Sequence, residues 1–390
     1  MCGGGVTETV DAPGVEAVVR GDAALLEDDL AGFLGSLTAA PAGPGPAASV
    51  YDAALRRSLY GPVADAVGSK AGQEALPPAA GAPGSGRAPL RPSMVYWAYR
   101  NYRGFPNEPG RQASPAELAA VRRAAVAVRI LLKAAVAIDD IQDGSGVRYG
   151  EAALHVTHGI PLALNAGSWL ITAALGHAAD PAVVASLVRA VGQGLTGQAV
   201  DLSTRSPQTR AELMAAPHAA RVEFWESTAA LKTGTLFRMP LDAAMAALDV
   251  VEDERRALDG AMRALGLASQ LFNDLTDFVP ELGGAKTHED FDGLGNRVVL
   301  ELLGSAPPAG RAPDEPAGTW LKPFVLGHPK LEGTLLRLAA EAVELKRAAK
   351  EAVHGLCRSE RSAAYFDVTV ERKGHLIDRL YRTLRQRSGA

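Results

Sequence analysis

Asp139-Asp140-Ile141-Gln142-Asp143 decides how this chain is read, and Asn273-Asp274-Leu275-Thr276-Asp277 repeats its logic downstream. Residues four apart share a helix face, so Asp139 and Asp143 point the same way, as do Asn273 and Asp277. Glu281 extends the second stripe by a turn if that helix continues. Like charges at this spacing destabilise an isolated helix by roughly 0.2–0.5 kcal/mol per pair. Both segments lie in apolar sequence, where unpaired carboxylates cost far more. A hard divalent cation removes that cost. Mg²⁺ takes one or two carboxylates and completes its octahedron with water and phosphate oxygens. Two acidic stripes facing each other therefore predict a site for metal ions and a diphosphate.

Working outward, the first stripe ends a long helix. Ser114 is its N-cap, Pro115 suits its first turn, and Glu117 completes a capping box. Leu118, Val121, Ala125, Val128, Leu132 and Val136 then recur at helical spacing, and Gly144-Ser145-Gly146 stops the helix after Asp143. Further helices are expected over 23–37, 49–67, 153–175, 181–202, 219–238, 251–278, 293–303, 331–356 and 363–386. No alternating strand pattern recurs, so the fold class is all-α. Ser305–Thr319, rich in Pro, Gly and Ala, reads as a surface insertion. Residues 1–86 read as an accessory region ending in a linker, and 87–390 as the helical domain.

Composition narrows the class. Of 390 residues, 47% are hydrophobic but only 5% aromatic, so alanine and leucine favour helix over sheet. A net charge of −4 argues against general nucleic-acid affinity. The longest apolar run, Ala124–Ile138, carries Arg129 and Lys133 and does not suit a membrane span. Two cysteines, Cys2 and Cys357, give no disulfide framework and suit a reducing cytoplasm.

Other polar groups punctuate the apolar helices. Gly197-Gln198 precedes Asp201-Leu202, Lys232-Thr233-Gly234 interrupts the next helix, and Gln270 lies one turn before Asn273. Singly, Gln198 and Gln270 read as satisfied core amides and Lys232 as a snorkelling surface lysine. Together they are more specific. With Leu90-Arg91-Pro92 and Arg148-Tyr149-Gly150, they occur in one order across roughly residues 87–300. That pattern resembles the trans-isoprenyl diphosphate synthase family, within the class I terpenoid synthase fold.

The resemblance implies a helical bundle around a deep apolar cavity and three Mg²⁺ ions gripping an allylic diphosphate. Asp139 and Asp143 would ligate metal from one wall, and Asn273, Asp274, Asp277 and Glu281 from the other, with Asp140 in the catalytic set. Arg148, Lys232, Gln198, Gln270 and Arg91 would contact the diphosphate, and Thr233 would steady the allylic cation. Ala134 and Ala135 would form a small-residue pocket floor, leaving room for a geranylgeranyl chain. Dimerisation through helices is also implied.

The same resemblance exposes a departure. Chain elongation needs a second site, for isopentenyl diphosphate. The family's lysine there reads Ala88, its histidine Leu132, and its second arginine Tyr149, although Arg91 survives and Arg87 or Lys133 can reach in. Each lost charge-assisted contact is worth roughly 1.5–3 kcal/mol. The sequence therefore favours terpene cyclisation. The alternatives are elongation with isopentenyl diphosphate, prenyl transfer to a non-isoprenoid acceptor, and a catalytically silent partner subunit.

Overall fold

The computed structural model describes residues 12–38, 46–68, 89–106, 108, 114–148, 150–279, 291–303 and 317–389. Helices dominate, as expected. They are α1 (Ala12–Thr38), α2 (Pro46–Leu55), α3 (Gly61–Gly68), α4 (Leu90–Arg103), α5 (Pro115–Gln142), α6 (Leu154–His158), α7 (Ile160–Ala178) and α8 (Pro181–Ser203). Then come α9 (Pro207–Ala215), α10 (His218–Ala229), α11 (Thr235–Ala247), α12 (Glu252–Thr276), α13 (Arg297–Leu302), α14 (Ala317–Leu326), α15 (Leu331–His354) and α16 (Glu360–Arg387). The strands β1 (Val147–Arg148) and β2 (Glu151–Ala152) pair antiparallel just past the first acidic motif.

The local rules act as the sequence suggests for α5. Ser114 Oγ accepts from Glu117 N while the Glu117 carboxylate accepts from Ser114 N, and Gly144 takes a positive φ of 66° beyond the end. Elsewhere the boundaries move. The helix expected over 153–175 breaks at Gly159, whose φ of 81° no L side chain adopts easily, leaving α6 and α7. The helix expected from 293 starts only at Arg297, because Asn296 caps it by accepting from Val298 N. Part of the expected insertion over 305–319 becomes α14, and its first residues lie outside the described ones. The expected accessory region also needs correction over α1. Val15, Val19, Leu26 and Leu30 are buried in the same core as α4, α5 and α16. Asp22 of α1 is 1% exposed and accepts from Arg100 of α4 and from the Tyr365 hydroxyl of α16. Losing one partner of such a buried pair strands the other, at about 3–5 kcal/mol.

One irregularity positions much of the cavity wall. Between α10 and α11 the chain makes a π-helical turn over Ala230–Gly234, so the helix expected over 219–238 is a bulged rod reaching Ala247. Two glycines press on this turn from opposite sides. A Cβ on Gly197 of α8 would stand 2.5 Å from Lys232 N, and one on Gly266 of α12 would collide with Gly234 Cα. Backbone meets backbone at both places, which brings Lys232 and Thr233 between α8 and α12.

Alanine at Gly197 or Gly266 must therefore push helices apart. Each substitution is expected to cost about 1–3 kcal/mol, in the range of overpacked cores, and to lower the thermal midpoint. Gly192→Ala, where nothing lies within 4 Å of the added carbon, is the control and should hold or raise it. Equal midpoints in all three variants would show that the squeeze is not real.

Candidate active site

α5, α8, the π turn, α11, α12 and α16 surround a cavity of about 540 Å³, within the usual range for small-molecule sites. Its mouth is polar. Asp139, Asp143 and Arg148 line one wall, Asn273, Asp277 and Asn296 the other, and Asp201, Lys232 and Gln198 the bridge between them. Its interior is apolar, with Ile171, Val191, Leu195, Leu236, Phe237 and Leu265 among the lining side chains.

The first acidic motif divides as helical geometry requires. Asp139 and Asp143, four apart, both face the cavity. Asp140 lies one step, about 100°, round the helix. It is 1% exposed and abuts a second, smaller cavity behind α5 rather than the main one. The structure thus takes Asp140 out of the expected catalytic wall. Arg148 holds the motif together by donating Nε to Asp140 and Nη2 to Asp139 Oδ2 at 2.6 Å. Burial pushes the Arg148 pKa down, but Asp139 and Asp140 push it up by more.

The second motif is tied more closely to the protein. Asp274 is 1% exposed and its oxygens are engaged by protein donors: Gln270 Nε2 on Oδ1 at 2.8 Å, and Trp225 Nε1 and Arg297 N on Oδ2, each at 2.8 Å. Asp274 nonetheless lines the cavity, so these donors fix to the wall a carboxylate expected to meet metal. Asn273 and Asp277 line the cavity beside it. Asn296 Nδ2 donates to the Asp274 carbonyl at 3.0 Å and to Asp277 Oδ2 at 3.3 Å, tying the motif to the start of α13. Glu281 lies outside the described residues, as do Arg87, Ala88 and Tyr149.

Lys232 joins the walls. Its Nζ lies 2.6 Å from Asp201 Oδ2 and 3.7 Å from Asp139 Oδ1. Burial acts to lower its pKa, yet Asp139, Asp201 and Asp143 together raise it, so it stays charged. Thr233 donates its hydroxyl to Gln270 Oε1, leaving the oxygen's lone pairs for the cavity. Gln198 is 7% exposed, lines the cavity, and its Nε2 has no protein acceptor. A buried amide without a partner costs about 1–3 kcal/mol, a deficit that an anionic ligand would remove. Of the two floor alanines, Ala135 lines the cavity, whereas Ala134 is fully buried against α7, where its carbonyl would sit 3.6 Å from a Cβ on Gly167.

Several cavity residues were not singled out from sequence. Arg205 donates to Asp143, and its signal was its place four residues after Asp201. Arg129 and Lys373 also line the cavity, together with the foreseen Arg91 and Lys133. Burial pushes the Arg129 pKa down, with Glu27 acting the other way. Arg91 stacks its guanidinium 4.9 Å over the Phe237 ring. Lys373 comes from the last helix, and nothing in its local sequence marks it.

The residues present suit hard cations. Asp139, Asp143, Asn273 and Asp277 offer oxygen donors toward one cavity. Among the described residues no three His, Cys, Asp or Glu side chains converge on one point. An open arrangement of this kind matches Mg²⁺, which keeps most of its shell for water and phosphate, better than a closed all-protein cage.

Residues 84–292 match the polyprenyl synthetase family, which is more than half of the chain. This chain belongs to the polyprenyl synthetase family. A short chain isoprenyl diphosphate synthase from Methanocaldococcus jannaschii is 25% identical over 190 residues, covering 46% of this chain and 55% of the relative. The chain thus spans about half the length of that curated relative. A geranylgeranyl pyrophosphate synthetase from Pyrococcus horikoshii Ot3 superposes with a TM-score of 0.64 at 19% identity, covering 92% of this chain and 98% of that one. A polyprenyl synthase from Caulobacter crescentus CB15, complexed with calcium and isoprenyl diphosphate, gives 0.58 at 21%, covering 92% and 97%. The all-α terpenoid synthase fold follows from these likenesses.

The two buried aspartates give a direct contrast. Asp274→Ala removes the acceptor of three donors and is expected to cost about 3 kcal/mol of stability or more. Asp139→Ala should cost about 1 kcal/mol, because Arg148 keeps Asp140. Denaturant unfolding of both variants checks this, and equal losses would mean that Asp274 is not the internal strut.

Proposed function

We propose that this chain is a divalent-metal-dependent trans-prenyltransferase that ionises an allylic prenyl diphosphate and passes the prenyl group to isopentenyl diphosphate. One observation carries the choice of elongation. Arg91, Arg129, Lys133 and Lys373 line the same cavity as the acidic walls. Lys133 stands six residues before Asp139, about 9 Å along the helix. These cations supply at other positions what Ala88 and Leu132 lack. Family membership supports elongation over the cyclisation that the sequence favoured. Cyclisation remains the second reading on a specific point: Leu132 itself lines the cavity and adds an apolar surface where a second diphosphate would need a donor.

In this reading the diphosphate lies between Asp139 and Asp143 on one side and Asn273 and Asp277 on the other. Mg²⁺ ions, three by the resemblance, would supply Lewis-acid stabilisation of the leaving diphosphate when bound. Arg148 and Lys232 point fixed positive charge at the same oxygens, where it counts most as the C–O bond breaks. Gln198 offers its unpartnered amide. Thr233 turns hydroxyl lone pairs toward the allylic cation, and the apolar interior keeps water from it. Ala135, Ala190 and Gly194 keep the interior wide, which suits a chain of geranylgeranyl length.

A homodimer completes the reading. Leu164 of α7 and Val188 of α8 are each about half exposed, which suits a second copy. No helix among the described residues is long and apolar enough to cross a membrane. Nucleic acid is not an expected partner, and a cytoplasmic location is part of the proposal.

The test is product analysis by mass spectrometry after incubation with Mg²⁺ and geranylgeranyl diphosphate, with and without labelled isopentenyl diphosphate. Label in a longer prenyl diphosphate is expected. A hydrocarbon or alcohol formed equally well without isopentenyl diphosphate would move the assignment to cyclisation, and no turnover of any allylic diphosphate would sink both readings. Lys133→Met and Lys373→Met are expected to raise KM for isopentenyl diphosphate about tenfold each, with KM for the allylic substrate changed little. Ala135→Phe should shorten the longest product.

A further inference from the structure

Arg205 occupies an unusual position in this site. It lies just beyond α8, at the rim of the cavity. Its Nη2 donates to Asp143 Oδ1 at 3.0 Å and its Nη1 to the Gln142 carbonyl at 2.8 Å. The backbone beneath it is well held. Arg205 N donates to the Leu202 carbonyl at 3.1 Å, and the Arg205 carbonyl accepts from Arg210 Nη1 at 2.5 Å. Gly293 leaves just enough room beside it, since a Cβ there would come 3.2 Å from Arg205 Cγ and would collide with Thr204 Oγ1.

The exposures of the two partners differ in a telling way. The Asp143 side chain is 7% exposed, whereas that of Arg205 is 35% exposed. The carboxylate is enclosed and the guanidinium covers it from the open side. Arg205 uses two of its five N–H donors on these contacts, so its fork retains donors for an anion in the cavity. A cation bound to Asp143 from the cavity side must compete with that guanidinium, because two positive groups sharing one carboxylate repel each other.

We propose that Arg205 is an exchangeable cation. Without substrate it neutralises Asp143; when metal and diphosphate arrive together it leaves Asp143 and pairs with a diphosphate oxygen. This rests on the proposed metal–diphosphate reading of the cavity. A guanidinium binds phosphate oxygens at least as well as a carboxylate, through the same planar fork. The exchange makes metal alone a poor ligand and metal with diphosphate a good one. The two affinities are then coupled, and by linkage each raises the other equally. When diphosphate departs, Arg205 returns to Asp143 and displaces metal.

The test uses the full chain with Mn²⁺ as the probe metal, followed by electron paramagnetic resonance, and inorganic pyrophosphate as the probe anion. In the wild type, pyrophosphate is expected to tighten Mn²⁺ binding strongly. In Arg205→Gln, Mn²⁺ alone should bind about tenfold tighter, because its competitor is gone. Pyrophosphate binding in the presence of Mn²⁺ should weaken about tenfold, for want of one charge-assisted contact. Opposite signs are the signature, since a residue that merely props up the wall would weaken both. Arg205→Lys, which keeps charge but lacks the fork, should fall between the two on both measures. It also serves if the glutamine variant fails to fold. Affinities that fall together, or that do not move in either variant, overturn the exchange. A wild type that binds no Mn²⁺ with pyrophosphate would overturn the metal–diphosphate reading itself.

Discussion

Mutual repulsion among carboxylates is the constraint on which this structure turns. Asp139, Asp143, Asp201 and Asp277 line one cavity whose interior walls are apolar. Unscreened, such a cluster would drive the walls apart or force protonation. Lys232 answers Asp139 and Asp201, Arg148 answers Asp139 and Asp140, and Arg205 answers Asp143. Each cation comes from an element other than the carboxylate's own helix. The walls are therefore held at their spacing by pairs that cross helix boundaries, and the fold and the site depend on the same contacts.

A second regularity concerns the two acidic motifs. In each, the first and fifth residues line the cavity, while the second is buried and held by protein donors, Asp140 away from the main cavity and Asp274 at its wall. Asp140 takes Arg148; Asp274 takes Gln270, Trp225 and the start of α13. Each motif thus combines side chains open to the cavity with a buried carboxylate whose protein contacts aim the helix end that presents them. A buried, fully satisfied carboxylate rigidifies its surroundings more than an exposed one.

Much of this was legible in the chain. The capping box at Ser114, the spacing of four within each stripe and the terminating glycines place α5 and its aspartates without any structure. The same 100° step already separates Asp140 from Asp139, yet what Asp140 and Asp274 do could not be read. Asp140 pairs with Arg148 eight residues on, and Asp274 takes Trp225 and Arg297 from forty-nine and twenty-three residues away besides Gln270 one turn back; pairing across such distances has no local signature. Lys373 is invisible for the same reason. Apolar periodicity ran through Gly159, because a helix break there is a matter of one φ angle. α14 was obscured by the Pro- and Gly-rich segment before it, where composition outweighed periodicity. The departure at Ala88, Leu132 and Tyr149 was visible as a loss of named residues, which alone favoured cyclisation. That Arg129 of α5 and Lys373 of α16 reach the same cavity required the packing of the helices around it.

The bulged turn over Ala230–Gly234 amounts to one residue more than a regular helix would hold. Downstream of it, every side chain of α11 is rotated by about 100° relative to an unbroken continuation of α10. Phe237 and Met239 face the cavity because of that phase shift. A chain shortened by a single residue here would gain a more regular rod, and the lysine, the threonine and the apolar wall beyond them could no longer all share one face. The surplus residue is a phase adjuster, and it explains why a locally less favourable helix geometry persists at the centre of the molecule.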